Sequence, residues 1–475
     1  MQLWSYIRSV FGSSGKGSVS LYNTETKQLE RFRARGCNPV TIYTCGPTVY
    51  NRLTIGNLRA YVFADTLNRT LRSQQYAVEH VINITDVGHL TDDADDGEDK
   101  IEKQASAKNL TAAEIAESYT DYFLRDIAAL NVPLDNYAFP RATEYIEAQI
   151  GLIQELEAKG HTYVIDDGVY FDTSTFPEYG KLGGLNLNTE TQARVASNPQ
   201  KKNPQDFALW KLSSPTESRQ QEWDSPWGVG YPGWHIECSA MSRTLLGQPL
   251  DIHTGGIDHA TTHHNNEIAQ SEGAYGAPYA RYWMHNAFLT IEGNRIGKSM
   301  GNAITIPDVI ERNIDPRALR YLYLEAHYRK PQSFSWEALE AAETALSRLI
   351  TLYTNLPHGT TQHAASIKAF NAAITDDLNM PQALAVTWEV AKDEAITHEE
   401  KQATLTYFDT VLGLNLSSPI TQDDPIPSEI QQKAQERETL RKQGVYNAAD
   451  MLRDEIAAAG YEIRDTSDGI TILKK

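Results

Sequence analysis

The sequence predicts an α/β fold with a parallel sheet at its core and a helical second half. Two stretches carry that expectation. Residues 40–85 read strand, turn, helix, strand, which makes a right-handed βαβ unit and hence parallel pairing. From Arg317 onward the apolar spacing is helical. At 475 residues the chain exceeds one ordinary core, so two to four domains are expected.

The elements follow in order. Residues 1–18, ending in the flexible run GSSGKGS, read as an N-terminal extension. Leu3–Phe11 is short, is broken by Arg8 and has no basic stretch before it, so it does not read as a signal peptide. Val40–Thr44 is a β-rich run that stops at the turn Cys45-Gly46-Pro47. Gly56 and Asn57 precede a helix whose apolar face is Leu58, Val62, Phe63, Leu67 and Leu71. Val78–Thr85 is the second strand. Ligands of such sheets sit at the carboxyl ends of strands, where Cys45 and Thr85 both fall.

Asp92 to Asp99 is dense in carboxylates and reads as a solvated loop. Helical patterns follow to about residue 130 and over 144–160. His161–Ile165 and Gly168–Phe171 are β-like, and residues 186–204 form a polar, Asn-rich loop. The mixed pattern resumes at Asp206. Residues 287–306 are Gly-rich around Lys298-Ser299. Residues 418–427 read as a linker to a small last unit, with one long helical stretch and then β-like pieces near Tyr461–Ile463 and Ile470–Leu473.

Hydrophobic residues make up 41% and charged residues 22%, which is globular composition. Mean hydropathy is −0.46 and no apolar run approaches 18 residues, so no membrane span is expected. The net charge of −19 disfavours a broad basic surface for nucleic acid, though not a local groove. Residues 428–475 carry only −1 of that charge. There Lys433, Arg437 and Arg441 recur at i, i+4, i+8 as one basic stripe, either a polyanion contact or a solvated face. Three cysteines (Cys37, Cys45 and Cys238) are too few for a disulfide scaffold and fit reduced thiols in a cytosolic setting.

His263 and Glu267 are four apart and share a helix face. With two thiolates from elsewhere they would give zinc a four-ligand set; buried, inert cysteines are the alternative. His259 and His263 are also four apart, but a zinc hydrolase needs Glu directly after the first His, and that position is Ala260. Lys298 lies among Gly293, Gly297 and Gly301. A lysine on such a loop suits phosphate charge that develops in a transition state, and an ordinary hairpin is the alternative.

Taken together, the chain from about Leu21 to its end resembles the bacterial cysteinyl-tRNA synthetase family of class I aminoacyl-tRNA synthetases. The ordered blocks are Thr44 to Tyr50, Asn83 to His89, Gly233 to Met241, Asp251 to His253, and His263 to Glu267. The family's His-Ile-Gly-His type signature reads Thr54-Ile55-Gly56-Asn57. Its Lys-Met-Ser-Lys-Ser signature reads Arg295-Ile296-Gly297-Lys298-Ser299. The resemblance implies one zinc per chain on Cys45, Cys238, His263 and Glu267, with the substrate thiolate as an added ligand. It implies a cysteine pocket shaped by Gly46, Thr85, Trp234, His253 and Asp258. Thr54, Asn57 and Lys298 would be catalytic, and Gly56, Asn57, Lys298 and Ser299 would bind ATP, which comes with Mg²⁺. Thr54 can donate one hydrogen bond but carries no charge, so adenylate formation is either slowed or helped by a neighbour such as Arg52.

The implied fold is a doubly wound parallel sheet of Rossmann type. Its halves would be residues 19–130 and 201–290, with an insertion domain at 131–200. Residues 291–355 would hold the signature loop and a helical region contacting the tRNA stem. A helical tRNA-binding bundle would span 356–417, and a small tRNA-binding domain 428–475. The implied function is a cysteine--tRNA ligase in the cytoplasm, acting on L-cysteine, ATP and the tRNA for cysteine, with no DNA and no membrane. The alternatives are a cysteine ligase of thiol-cofactor synthesis and a catalytically weakened cysteine- or tRNA-binding relative.

Overall fold

A computed structural model describes residues 17–36, 39–88, 99–182, 198–214, 219–291, 294–296, 302–419, 427–442, 445–466 and 469–474. The chain divides into two compact units. One holds residues 1–308 and 316–419, and the other residues 309–315 and 420–475.

The first unit opens with the hairpin β1 (Ser20–Asn23) and β2 (Gln28–Arg31). Then come β3 (Val40–Thr44), α1 (Ile55–Ser73) and β4 (Val78–Ile82). Strands β3 and β4 pair in parallel with Val40 opposite Val78 and Thr44 opposite Ile82, as the βαβ reading requires. All five residues of β3 are buried, because a parallel strand is covered on both faces. Helix α1 begins at a capping box: the Thr54 hydroxyl accepts from the Asn57 backbone N–H, and the Asn57 side chain accepts from the Thr54 N–H. Helices α2 (Lys100–Lys108), α3 (Ala112–Ala129) and α4 (Ile146–Ala158) follow.

Strands β5 (Thr162–Ile165), β6 (Gly168–Phe171), β7 (Phe207–Leu212) and β8 (Gly230–Pro232) form a separate antiparallel sheet in that order. The chain then re-enters the core through α5 (Trp234–Leu246), β9 (Leu250–Gly256), α6 (His263–Tyr275) and β10 (Ala280–Asn286). The parallel sheet runs β10-β9-β3-β4. The chain steps outward from β3 to β4, then returns to the other side of β3. That reversal makes the sheet doubly wound and leaves a crevice between the carboxyl ends of β3 and β9. The short strands β11 (Leu289–Ile291), β12 (Asn294–Arg295) and β13 (Gln332–Phe334) form a third sheet.

The rest of this unit is helical: α7 (Pro316–Leu324), α8 (Trp336–Thr354), α9 (Ala364–Ile374), α10 (Met380–Lys392) and α11 (His398–Leu412). A buried ion cluster fastens it to α1. Asp65 pairs with Arg69 at 2.7 Å and with Arg320, which has no exposed surface, at 2.6 Å. Arg320 also donates to the carbonyls of Leu130 and Leu412. Gly413 turns the chain there at φ +64°, and a Cβ on it would lie 2.6 Å from the Arg320 guanidinium.

The second unit holds α12 (Ser428–Lys442), α13 (Tyr446–Ala458) and the antiparallel pair β14 (Tyr461–Thr466) and β15 (Gly469–Lys474). The sequence suggested one long helix where there are two. Folding back lets Ile430 and Ala434 pack with Ile456, Tyr461 and Ile463, which a single rod would leave wet. The basic stripe also differs from expectation. Lys433 pairs with Glu429 at 3.1 Å and Glu455 at 3.0 Å, and Arg437 is buried. No described helix is long and apolar enough to cross a membrane.

Candidate active site and metal centre

The crevice holds a cavity of about 670 Å³. Its floor follows from how β3 ends. The Cys45 N–H donates to the Thr254 carbonyl at 3.2 Å, continuing the β3–β9 ladder by one residue. The Gly46 N–H donates to Asn83 Oδ1 at 2.7 Å. A Cβ on Gly46 would stand 1.4 Å from the Asn83 carbonyl oxygen, so only glycine fits this crossing of two strand ends. Cys45 is thereby pointed between β3 and β9, towards α5 and α6.

There it meets Cys238 on α5 and His263 and Glu267 on α6. One ligand atom from each of the four lies within 4.8 Å of the others, and all four residues are buried. His263 Nε2 is 3.1 Å from Glu267 Oε1, as expected for i, i+4 on one helix face. Cys45 Sγ is 3.6 Å from the same oxygen. The outer atoms are already committed. Glu267 Oε2 accepts from His253 Nε2 at 2.9 Å and from the Tyr279 hydroxyl at 2.8 Å. His263 Nδ1 lies 2.8 Å from His235 Nδ1, which leaves Nε2 facing the cluster. Such outer contacts fix tautomer and aim in metal sites.

The charges describe a site that wants a cation. Burial would raise Glu267, but His253 and His263 together hold its carboxyl well below the usual range. Burial would lower His263, but Glu267 and Cys238 push it up to about 10. The Cys45 thiol donates to Cys238, which brings Cys238 down to about 7, while burial pushes Cys45 well up. A proton on His263 thus offsets only part of the negative charge of the Glu267 carboxylate and the readily ionised Cys238 thiol. A divalent ion would replace that proton and ligate all four groups, and two S, one N and one O suit zinc. A second set, Cys45, His253, His264 and Glu267, is equally close. It suits a metal less, because His253 Nε2 is spent on Glu267. Cys45, Cys238 and His263 also line the cavity, whereas His253 and His264 do not.

The remaining expected residues fall as follows. Trp234 lines the cavity and packs on the His263 ring at 4.6 Å. Thr85 lines it and donates to Glu237 at 3.0 Å. Asp258 lies on the wall where β9 ends. His253 does not reach the wall; it has no exposed surface and stands behind Glu267. Thr54, Gly56 and Asn57 bring the amino end of α1 to the same cavity. Lys298 and Ser299 lie outside the described residues, as does Cys37. Arg52 is held by Asp126 through two hydrogen bonds of 3.0 and 2.6 Å.

Sequence reasoning missed Tyr279, His235 and Asn83, which orient the cluster from distant positions, and Lys100, which lines the cavity. Lys100 directly follows the acidic run, whose composition masked it.

Known proteins resemble this chain in sequence and in fold. The family model for the catalytic domain of class I (C) tRNA synthetases matches residues 32–344. The cysteine--tRNA ligase 1 of Burkholderia lata is 45% identical over 95% of this chain and 96% of its own. The cysteine--tRNA ligase of Treponema denticola is 40% identical over 96% of this chain and 100% of its own. Among solved structures, methionyl-tRNA synthetase of Mycobacterium tuberculosis with methionyl-adenylate superposes at TM-score 0.52 and 16% identity, covering 84% of this chain and 94% of that one. A LeuRS–tRNA complex from Agrobacterium radiobacter superposes at 0.57 and 12% identity, covering 81% and 85%. The structural likenesses show the shared fold. By the matching domain model and by relatives alike along nearly their whole length, this chain belongs to the cysteine--tRNA ligase family of class I aminoacyl-tRNA synthetases.

Proposed function

We propose that this chain activates L-cysteine with ATP and transfers it to the 3′ end of its tRNA. The observation that carries the reading is the buried cluster of Cys45, Cys238, His263 and Glu267 beneath one cavity with the amino end of α1. In the first step a carboxylate oxygen of cysteine attacks the α-phosphorus of ATP and pyrophosphate leaves. In the second a terminal ribose hydroxyl of the tRNA attacks the activated carbonyl and AMP leaves.

Cys45, Cys238, His263 and Glu267 would hold one zinc ion. Zinc there supplies a soft site that takes a thiolate and disfavours serine's hydroxyl. Thr85 and Trp234 bound the side-chain end of the pocket, and the Asp258 carboxylate suits the substrate ammonium. The positive amino end of the α1 dipole suits ATP phosphates, with Gly56 and Asn57 allowing close approach and Lys298 and Ser299 adding donors. Magnesium would accompany ATP. Residues 131–200 form the insertion domain in this reading, and the helical regions and residues 428–475 contact tRNA. The enzyme works in the cytoplasm.

A thiol-cofactor ligase is the less favoured alternative, because the cysteine--tRNA ligase relatives align over 94–96% of this chain. Charging of a transcript of the tRNA for cysteine tests the function. Cysteine attached to the 3′ end is the expected result. No charging under conditions where the protein is folded and binds zinc would refute it.

A further inference from the structure

The cavity must accept a triphosphate, yet its described wall has little positive charge to spare. Thr54 stands where the family signature usually has histidine. Its hydroxyl proton goes to Asn57 Oδ1 at 2.7 Å, so it has no donor left for a phosphate. Arg52 lines the cavity, but two of its nitrogens serve Asp126, and its guanidinium lies 4.9 Å from the centre of the Tyr122 ring. Asp126 therefore largely cancels that charge. The imidazoles of His259 and His263 belong to the metal side of the wall.

Lys100 differs from all of these. It is the first residue of α2 and lines the cavity, with its ammonium 5.7 Å from the centre of the Tyr50 ring. Tyr50 is four residues ahead of Thr54, on the segment that leads into α1. A weak contact with a ring face leaves the three N–H donors of an ammonium available. The adjacent carboxylate does not quench it. Asp99 pairs with Arg219 and caps the N–H groups of Ile101 and Glu102 at 2.8 and 3.0 Å. Helix α2 is also anchored: Ile101 and Ala105 are buried, and Lys108 donates to the Tyr119 hydroxyl at 2.9 Å.

We propose that Lys100 is a catalytic residue of adenylate formation, holding the β- and γ-phosphates of ATP and supplying the charge that Thr54 lacks. The attacking carboxylate oxygen forms a bond to the α-phosphorus. The bond from that phosphorus to the bridging oxygen breaks, and its electron pair leaves with pyrophosphate. Lys100 stays protonated throughout and faces the negative charge that grows on the leaving group. This inference rests on the proposed function.

Single-turnover adenylate formation by wild type, Lys100→Met and Lys100→Arg tests it, with zinc content as the check on folding. Lys100→Met should slow the step by roughly 10- to 100-fold, with cysteine KM and zinc content unchanged. Lys100→Arg keeps the charge and should recover most of the rate. An unchanged rate in Lys100→Met overturns the proposal. So does a raised cysteine KM with the rate intact, which would put Lys100 on the substrate carboxylate. Slowing confined to transfer onto tRNA overturns it as well. A folded wild type that makes no adenylate from cysteine overturns instead the function on which the inference rests.

Discussion

Replacing His253 with phenylalanine separates two roles for one buried imidazole. The family resemblance puts His253 in the cysteine pocket, whereas its place in the fold is behind Glu267. His253 Nε2 donates to Glu267 Oε2 at 2.9 Å, and its Nδ1 has no hydrogen-bond partner among the described residues. Its ring lies 4.8 Å from Trp283, nearly parallel, and 5.4 Å from Tyr43, edge-on. Phenylalanine keeps those ring contacts and removes one donor. Losing a hydrogen bond to a buried carboxylate costs about 1.5–3 kcal/mol, and Tyr279 still serves the same oxygen. Zinc affinity should therefore fall by roughly 10- to 100-fold, the usual effect of losing an outer-shell partner. Competition with a chromogenic chelator reads that directly. With zinc restored to saturation, cysteine KM should return close to wild type. Unchanged zinc affinity with a cysteine KM that stays high in excess zinc would place His253 on the pocket wall and refute this reasoning.

Other substitutions probe the remaining walls. Cys238→Ser should lose zinc and raise cysteine KM by at least ~10-fold while ATP KM changes little, as steady-state kinetics and metal analysis will report. Gly46→Ala drives a methyl into the Asn83 carbonyl and should cost about 3 kcal/mol or more in denaturant unfolding. Gly56→Ala meets only ordinary contacts, 3.4 Å from Ile296 and 3.5 Å from Thr54, so it should unfold like wild type but raise ATP KM. Asp65→Asn strands the buried Arg320 charge and should destabilise by about 3–5 kcal/mol. Burial would raise Asp65, but Arg320 and Arg69 outweigh it and hold the carboxyl below its ordinary value. Its contribution is then full above about pH 4 and lost as pH falls through the folded value, so wild type should lose more stability than Asp65→Asn in acid.

The parts of the fold legible in the sequence were those with a local period. Val40–Thr44, the face of Leu58 to Leu71, and Val78 onward carry strand and helix periods strong enough to give the parallel unit and its order. His263 and Glu267 were legible as a pair because one helix turn relates them. The thiols were not, since Cys45 follows β3 and Cys238 lies on α5, far apart in sequence and brought together only by the tertiary fold, and the family resemblance was needed to join them. The outer contacts from Tyr279, His235 and Asn83 have no period at all, because buried polar partners are chosen by tertiary geometry. Arg52 looked available as a helper to Thr54 until Asp126, 74 positions away, was found to hold it. In the stripe of Lys433, Arg437 and Arg441 the spacing could not show that Arg437 alone is buried, because a helix face can be spaced for solvent and still be covered in part by its neighbours.

Pyrophosphate exchange into ATP, run with zinc-loaded protein and either cysteine or serine, bears most directly on a metal-lined site that activates one thiol amino acid. Exchange should depend on cysteine, with serine slower by ~10⁴-fold or more, because serine leaves the metal without its soft ligand. Equal exchange with serine, or none with cysteine in folded, zinc-loaded protein, would contradict it.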